Sequence, residues 1–215
     1  MKIEFENVSF SYEQGINALE NLCFCVEQGE CAALVGDNGC GKSTALKILN
    51  GLIFPDSGTY TFDGEIIDKA YLKNKLNAKV FHSKIGFLFQ DPQTQLFCSD
   101  VREDISFGPR QTGMCEEEIE RRTDELLKLF SIEHLAHRAV FNLSAGEKKK
   151  VALAGILAVN PQVIILDEPL SGLDMKSQRW MIEMLCELKG AGKTMIIATH
   201  NPMLCDALAD KLIEM

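Results

Sequence analysis

The chain is poor in what would send it across or out of a membrane. Its longest apolar run, Val151 to Val159, is nine residues, about half of what a bilayer-spanning helix needs. The opening Met1-Lys2-Ile3-Glu4 lacks the basic-then-apolar layout of an export signal. The eight cysteines form no C-x-x-C pair, which argues against zinc; without an export signal they read as reduced thiols rather than a disulfide framework. Basic residues are in deficit, 22 against 31 acidic, for a net charge of −9. That balance disfavours nucleic acid or anionic lipid as a general surface partner, so any membrane attachment goes through a protein. Internal repeats, low-complexity linkers and coiled-coil heptads are also lacking. What remains is 215 residues, 46% apolar and 25% charged, enough to bury a sizeable core.

The apolar pattern changes character along the chain. Ile3 and Phe5, then Val8, Phe10 and Tyr12, alternate with period two, and a parity slip at Glu6-Asn7 predicts a bulge or turn. Leu22 to Val26 and Thr59 to Phe62 predict further strands, the second followed by the turn pair Asp63-Gly64, and Cys23 and Cys25 read as small buried strand residues. Cys31 to Val35, Lys84 to Phe89, Val163 to Leu166 and Thr194 to Thr199 are short and apolar with little alternation, as strands buried on both faces of a parallel sheet are. Helices are predicted at Ser43 to Leu49, at Glu116 to Phe130 with Ile119, Leu126, Leu127 and Phe130 on one face, and at Ser144 to Val159, apolar nearly all round. The whole is an α/β core holding a helical insertion.

Gly36-Asp-Asn38-Gly39-Cys40-Gly41-Lys42-Ser43, between a strand and a helix, fills every fixed position of G-x-x-x-x-G-K-[ST]. Glycines there let backbone N–H groups turn inward around phosphate, Lys42 adds a point charge for the outer phosphates, and Ser43 is placed to ligate Mg²⁺. Gly192-Lys193-Thr194 is a decoy: Glu187 stands where the first glycine belongs, and the triplet leads into a strand. Val163 to Leu166 runs into Asp167 and Glu168, the first suited to hold Mg²⁺ and the second to polarise an attacking water. Gln90 and His200 end two other apolar strands, the edge where ligands collect in doubly wound sheets. Asn142-Leu143-Ser144-Ala145-Gly146-Glu147 opens a helix with a capping-box pattern, and a helix N-terminus also suits phosphate. Lys148 to Lys150 come next, in the first turn, where the macrodipole disfavours cations, so they read as partners of a nearby polyanion or as a solvated basic face.

In their order along the chain, these motifs resemble the nucleotide-binding subunit of ATP-binding-cassette (ABC) proteins over essentially its whole length. The phosphate loop is Gly36 to Ser43, the glutamine loop Gln90, the signature Leu143 to Glu147, the magnesium strand Asp167-Glu168, the dimer loop Ser171 to Asp174 and the switch histidine His200. The resemblance implies a P-loop NTPase fold in one domain, 1–215. A mainly parallel core with an N-terminal antiparallel β part occupies about 1–90 and 160–215, and a helical subdomain about 91–159. It implies ATP held by Asn38, Gly39, Cys40, Gly41, Lys42, Ser43 and Thr44, with Tyr12 stacked on adenine. Mg²⁺ would lie on Ser43, Gln90 and Asp167, with Glu168, His200 and Gln90 catalytic. It also implies a homo- or heterodimer with a second ATPase subunit, in which Ser144, Gly146 and Glu147 act in trans and Asp174 lies in the dimer loop.

A narrower likeness lies after Gln90. Asp91-Pro92 through Gln95-Leu96-Phe97, then Val101 and Glu103 to Pro109, look like the ATPases of energy-coupling-factor importers of cobalt, nickel or vitamins such as biotin. There the ATPase lies peripherally on the cytoplasmic face of the membrane, with an integral coupling protein and a substrate-capture protein as partners and no nucleic acid. The stretch would form the groove for a coupling helix, with Leu96 and Phe97 exposed beside acids. Two positions depart from the family: Ala145 stands where glycine is usual and Glu147 where glutamine is usual. Glu147 thereby adds a negative charge near nucleotide, which is expected to weaken the closed dimer or to slow turnover. The chain stops at Met215, about one helix past His200, like the shorter members. The alternatives are a soluble cassette ATPase of DNA repair or translation, which usually carries a coiled-coil insertion or a second cassette, and a weakly hydrolysing regulatory cassette, against which Glu168 and His200 argue. Lys42→Ala is expected to abolish productive nucleotide binding in an equilibrium titration; unchanged affinity would contradict the phosphate-loop reading.

Overall fold

The computed structural model describes residues 1–12 and 15–215. The chain opens with β1 (Lys2–Tyr12) and β2 (Ile16–Glu27), then β3 (Cys31–Val35), α1 (Lys42–Leu49), β4 (Ser57–Phe62) and β5 (Glu65–Ile66). Two lysine-rich helices, α2 (Lys69–Lys73) and α3 (Lys75–Lys84), lead into β6 (Ile85–Leu88). Three helices come after it, α4 (Val101–Thr112), α5 (Glu116–Leu129) and α6 (Ala145–Ala158). The chain continues through β7 (Val163–Asp167), α7 (Met175–Gly190), β8 (Thr194–Ala198), α8 (Pro202–Leu208) and β9 (Lys211–Glu214).

Five strands form a parallel sheet in the order β6-β7-β8-β3-β9, and four form an antiparallel sheet in the order β2-β1-β4-β5. The parallel sheet has a core on each face. In β7, Val163 and Ile165 pack with β1, β4 and α1, whereas Ile164 and Leu166 pack with α4, α6 and α7. In β8, Ile196 and Ala198 share the first core, Met195 and Ile197 the second. Burial on both faces is why these strands read as continuous apolar runs.

The slip at Glu6-Asn7 is a bulge: the β1–β2 register shifts between Phe5 and Val8, with Asn7 at φ 49°. Asp63 and Gly64 link β4 to β5 at φ 56° and 84°, the paired positive values of a type I′ hairpin turn. Cys23 and Cys25 differ from their sequence reading. Phe24 and Val26 take the buried face of β2, which leaves Cys23 exposed and Cys25 half-buried on the other. The helical content between β6 and β7 also exceeds the two elements read there, because α4 packs on α6 despite an internal Pro109.

Cys31 is fully buried, and burial pushes its thiol up to about 12, where almost no nucleophilic thiolate exists near neutrality. Thiol labelling of the native chain at pH 8 should modify the exposed Cys23, Cys115 and Cys186 and reach Cys31 only after denaturation. Rapid native labelling of Cys31 would contradict this packing.

Candidate functional site

Register in the parallel sheet sets the site. Leu34 of β3 and Asp167 of β7 both pair with Ala198 of β8, and Leu88 of β6 pairs with Leu166 of β7. The ends of four strands therefore lie level, and the loops leaving them meet at one edge of the sheet. There a cavity of about 410 Å³ is lined by Asn38, Gly39, Gly41, Lys42, Ser43, Gln90, Asp167, Glu168 and His200.

The loop after β3 is held in shape by its own lysine. Lys42 is buried, and its Nζ donates to the carbonyls of Gly36 (2.7 Å) and Asp37 (2.8 Å) and lies 3.6 Å from Cys40 Sγ. Gly41, at φ 101°, is the cap of α1, and a Cβ there would lie 2.2 Å from the Ala18 carbonyl oxygen. Only glycine fits that approach. Thr44 is buried in the first turn of α1 and lies within 3.2 Å of the Tyr12 hydroxyl. Tyr12 is 41% exposed, with Lys47 Nζ 6.0 Å from its ring centroid. It is therefore an exposed ring beside the phosphate loop.

Ser43 Oγ donates to Asp167 Oδ1 at 3.4 Å, and burial holds the Asp167 carboxyl above its ordinary range, partly offset by that bond. A hydroxyl, a carboxylate and the Gln90 amide oxygen are hard donors of the kind Mg²⁺ takes, so the residues present fit the ion. Glu168 Oε1 lies 2.7 Å from His200 Nδ1, and Thr199 Oγ1 donates to Oε2 at 3.3 Å. The Glu168 N–H donates to the Ala198 carbonyl (2.9 Å), and the residue sits at φ 42°, left-handed backbone that a side chain rarely adopts. An acid hydrogen-bonded to a histidine over a phosphate loop can orient and deprotonate water.

Ser144, Gly146, Glu147 and Asp174 do not line this cavity. Ser144 and Glu147 form the capping box of α6: Ser144 Oγ accepts from the Glu147 N–H (3.3 Å), and Glu147 Oε2 accepts from the Ser144 N–H (2.7 Å). That backbone bond is the main reason the Glu147 carboxyl stays below its usual range. Gly146 packs against α7, where an added Cβ would lie 2.7 Å from Ser177 Oγ. Asp174 caps α7 by accepting from the Ser177 N–H at 2.8 Å, which lowers its carboxyl.

Of the three lysines after the signature, Lys149 and Lys150 are neither a solvated face nor free partners for an anion, whereas Lys148 is half-buried and lines a second cavity. Lys149 is 1% exposed and donates to three main-chain carbonyls; burial pushes its ammonium down to about 8, against the pull of Glu168, Asp167 and Asp91. Lys150 donates to the Phe130 carbonyl and lies 4.4 Å from the Trp180 ring centroid.

A second cavity, about 460 Å³, is lined by Gln93, Leu96, Phe97, Cys98, Ser99, Val140, Phe141 and Lys148. Asp104 shapes its rim by accepting from the N–H groups of Phe97 (3.0 Å) and Cys98 (2.9 Å). Phe97 is 65% exposed as read, whereas Leu96 is half-buried against the helical core. Phe141, 73% exposed, is a lining residue that no periodicity marked.

A parallel strand that ends in a phosphate loop, level with another that ends in two acids, is the arrangement of a P-loop nucleoside triphosphatase. Within that class, residues 19–171 match the ABC transporter family, and the chain belongs to its ATP-binding ATPases. It is 40% identical to the nickel import ATP-binding protein LarO of Lactiplantibacillus plantarum, over 98% of this chain and 87% of that protein. It is 41% identical to the energy-coupling factor transporter ATP-binding protein EcfA of Methanothermobacter thermautotrophicus, over 98% of this chain and 66% of that one. Among solved structures it matches CbiO1 of Clostridium perfringens, part of the ABC transporter complex CbiONQ, with a TM-score of 0.82 and 39% identity, covering 95% of this chain and 82% of that one. A dimeric ATP-binding cassette in a post-hydrolysis state with ADP and Pi matches at a TM-score of 0.89 and 29% identity, covering 99% and 94%.

The capping box separates two variants. Ser144→Ala removes the cap and should cost about 1 kcal/mol, lowering the melting temperature by roughly 2–4 °C. Glu147→Gln keeps a side chain that completes the box and should leave it within about 2 °C. Equal losses in both, by thermal unfolding, would refute the reciprocal cap.

Proposed function

We propose that this chain is the ATP-binding and ATP-hydrolysing subunit of an energy-coupling-factor-type importer, coupling hydrolysis in a dimer to uptake of a metal ion (cobalt or nickel) or a vitamin such as biotin through partner membrane proteins. One observation carries the dimeric reading. Lys42, Ser43, Gln90, Asp167, Glu168 and His200 line one cavity, while the exposed start of α6, with Ser144, stands away from it. A second copy, or a related ATPase subunit, would bring its own Ser144 and Gly146 to the γ-phosphate, and the pairing of Ser144 with Glu147 would then compete with nucleotide. Asp174 would lie in the loop between the subunits.

In this reading Asn38 to Thr44 hold the phosphates of ATP and Tyr12 stacks on adenine. Mg²⁺, held by Ser43, Asp167 and Gln90, would neutralise phosphate charge. Glu168 polarises the attacking water, and His200, hydrogen-bonded to it, orients that carboxylate and senses the γ-phosphate. The chain works as one domain, 1–215, with 91–159 as the helical subdomain. The groove with Phe97, Phe141 and Lys148 supports docking of an amphipathic coupling helix, which would hold the subunit peripherally on the cytoplasmic face of the membrane. Likeness to proteins named for nickel import and for energy-coupling-factor transport supports import over a soluble role.

Glu168→Gln should bind ATP normally and hydrolyse it roughly 10²–10⁴-fold more slowly; unchanged turnover would remove Glu168 from this role. With ATP, the tagged variant should co-purify small integral membrane proteins from detergent-solubilised native membranes. Recovery of only soluble partners, DNA or ribosomes would overturn the importer reading.

A further inference from the structure

We propose that Lys149 is a positioning residue for ATP hydrolysis, its buried ammonium fixing the Glu168–Ser171 turn so that the Glu168 carboxylate stays aimed at the cavity. The inference rests on the reading of Glu168 as the group that polarises water.

Lys149 is the fifth residue of α6 and is almost completely buried. Desolvation opposes a cation there. Its own contacts answer that cost: Nζ donates to the carbonyls of Glu168 (3.1 Å), Pro169 (2.7 Å) and Ser171 (2.9 Å). An ammonium has three N–H donors, and three acceptors meet them. All three carbonyls belong to the turn in which the chain leaves β7. The turn has two further restraints, the Ser171 N–H on the Glu168 carbonyl (3.0 Å) and the Glu168 N–H on the Ala198 carbonyl (2.9 Å).

Such restraint is needed because Glu168 sits at φ 42°. A residue with a side chain persists in that region only where its surroundings over-determine it. Relaxation of the turn would swing the carboxylate away from His200 Nδ1, now 2.7 Å from it. Lys149 also springs from the helix whose N-terminus carries Ser144 and Gly146. One side chain thus ties the signature helix to the turn that bears Glu168, within a single chain.

The test compares full-length Lys149→Met, Lys149→Gln, Glu168→Gln and the double variant Glu168→Gln/Lys149→Met by thermal unfolding, equilibrium ATP binding and kcat. Lys149→Met should unfold cooperatively, bind ATP within about twofold of wild type and lose roughly 10–100-fold in kcat. Lys149→Gln, which keeps two N–H donors, should lose less. Because Lys149 acts through Glu168, adding Lys149→Met to Glu168→Gln should lower kcat by under about threefold more. A folded Lys149→Met with kcat within about twofold of wild type overturns the proposal, as does an equal fold-loss in both backgrounds. If Lys149→Met does not unfold cooperatively, Lys149→Gln decides: kcat at least about threefold low at unchanged ATP affinity is expected, and wild-type kcat overturns the proposal. Unchanged turnover in Glu168→Gln alone would defeat the reading of Glu168 and this inference with it. That result is distinct from a normal Lys149→Met beside a crippled Glu168→Gln.

Discussion

Parallel pairing between β3, β8 and β7 is the constraint on which the site depends. Leu34 and Asp167 face the same residue, Ala198, across two ladders, so the phosphate loop, the paired acids and the Thr199-His200 turn begin at one level. A one-residue slip of β7 would lower Asp167 by about 3.3 Å and turn every side chain of the strand to the opposite core. The two cores prevent it, since Val163 and Ile165 fit one and Ile164 and Leu166 the other. Hydrophobic packing thus positions polar groups at a distance: the apolar strands set the height at which the polar ends meet.

The same double burial explains what was legible in the sequence. Strands with both faces covered have no polar alternation, so β3, β6, β7 and β8 stood out, and so did the groups at their ends. The bulge at Asn7 and the turn at Asp63-Gly64 were legible because parity and positive-φ residues leave local marks. By contrast, α4 contains Gly108 and Pro109, which read as breakers, and α7 buries only Met181, Met184 and Leu185 among sixteen residues. Neither pattern stands out without its tertiary partners. Lys149 was illegible for a related reason. In a run of three lysines nothing local separates the one whose acceptors come from a turn about twenty residues on.

At the start of α6 one set of atoms serves two demands. Ser144 and Glu147 satisfy each other's main-chain donors, which keeps the exposed helix end ordered. The same N-terminus, with its unpaired N–H groups and positive dipole end, suits an anion. Gly146, by contrast, approaches Ser177 so closely that a side chain there would collide with it. The signature is therefore preorganised by its own chain before any partner reaches it, and Glu147, the unusual residue there, is a component of the helix end rather than a loose surface charge.

The left-handed backbone of Glu168 has an evolutionary consequence. Glycine or asparagine would occupy φ 42° more comfortably than glutamate, so drift toward greater robustness pulls this position away from its acid. Stabilising changes gather where nothing reacts; in the role proposed for Glu168, its strained backbone is where stability and activity are selected in opposite directions. A lineage of this ATPase adapting to heat would have to find its gains in the packing around the turn and leave the strain itself in place.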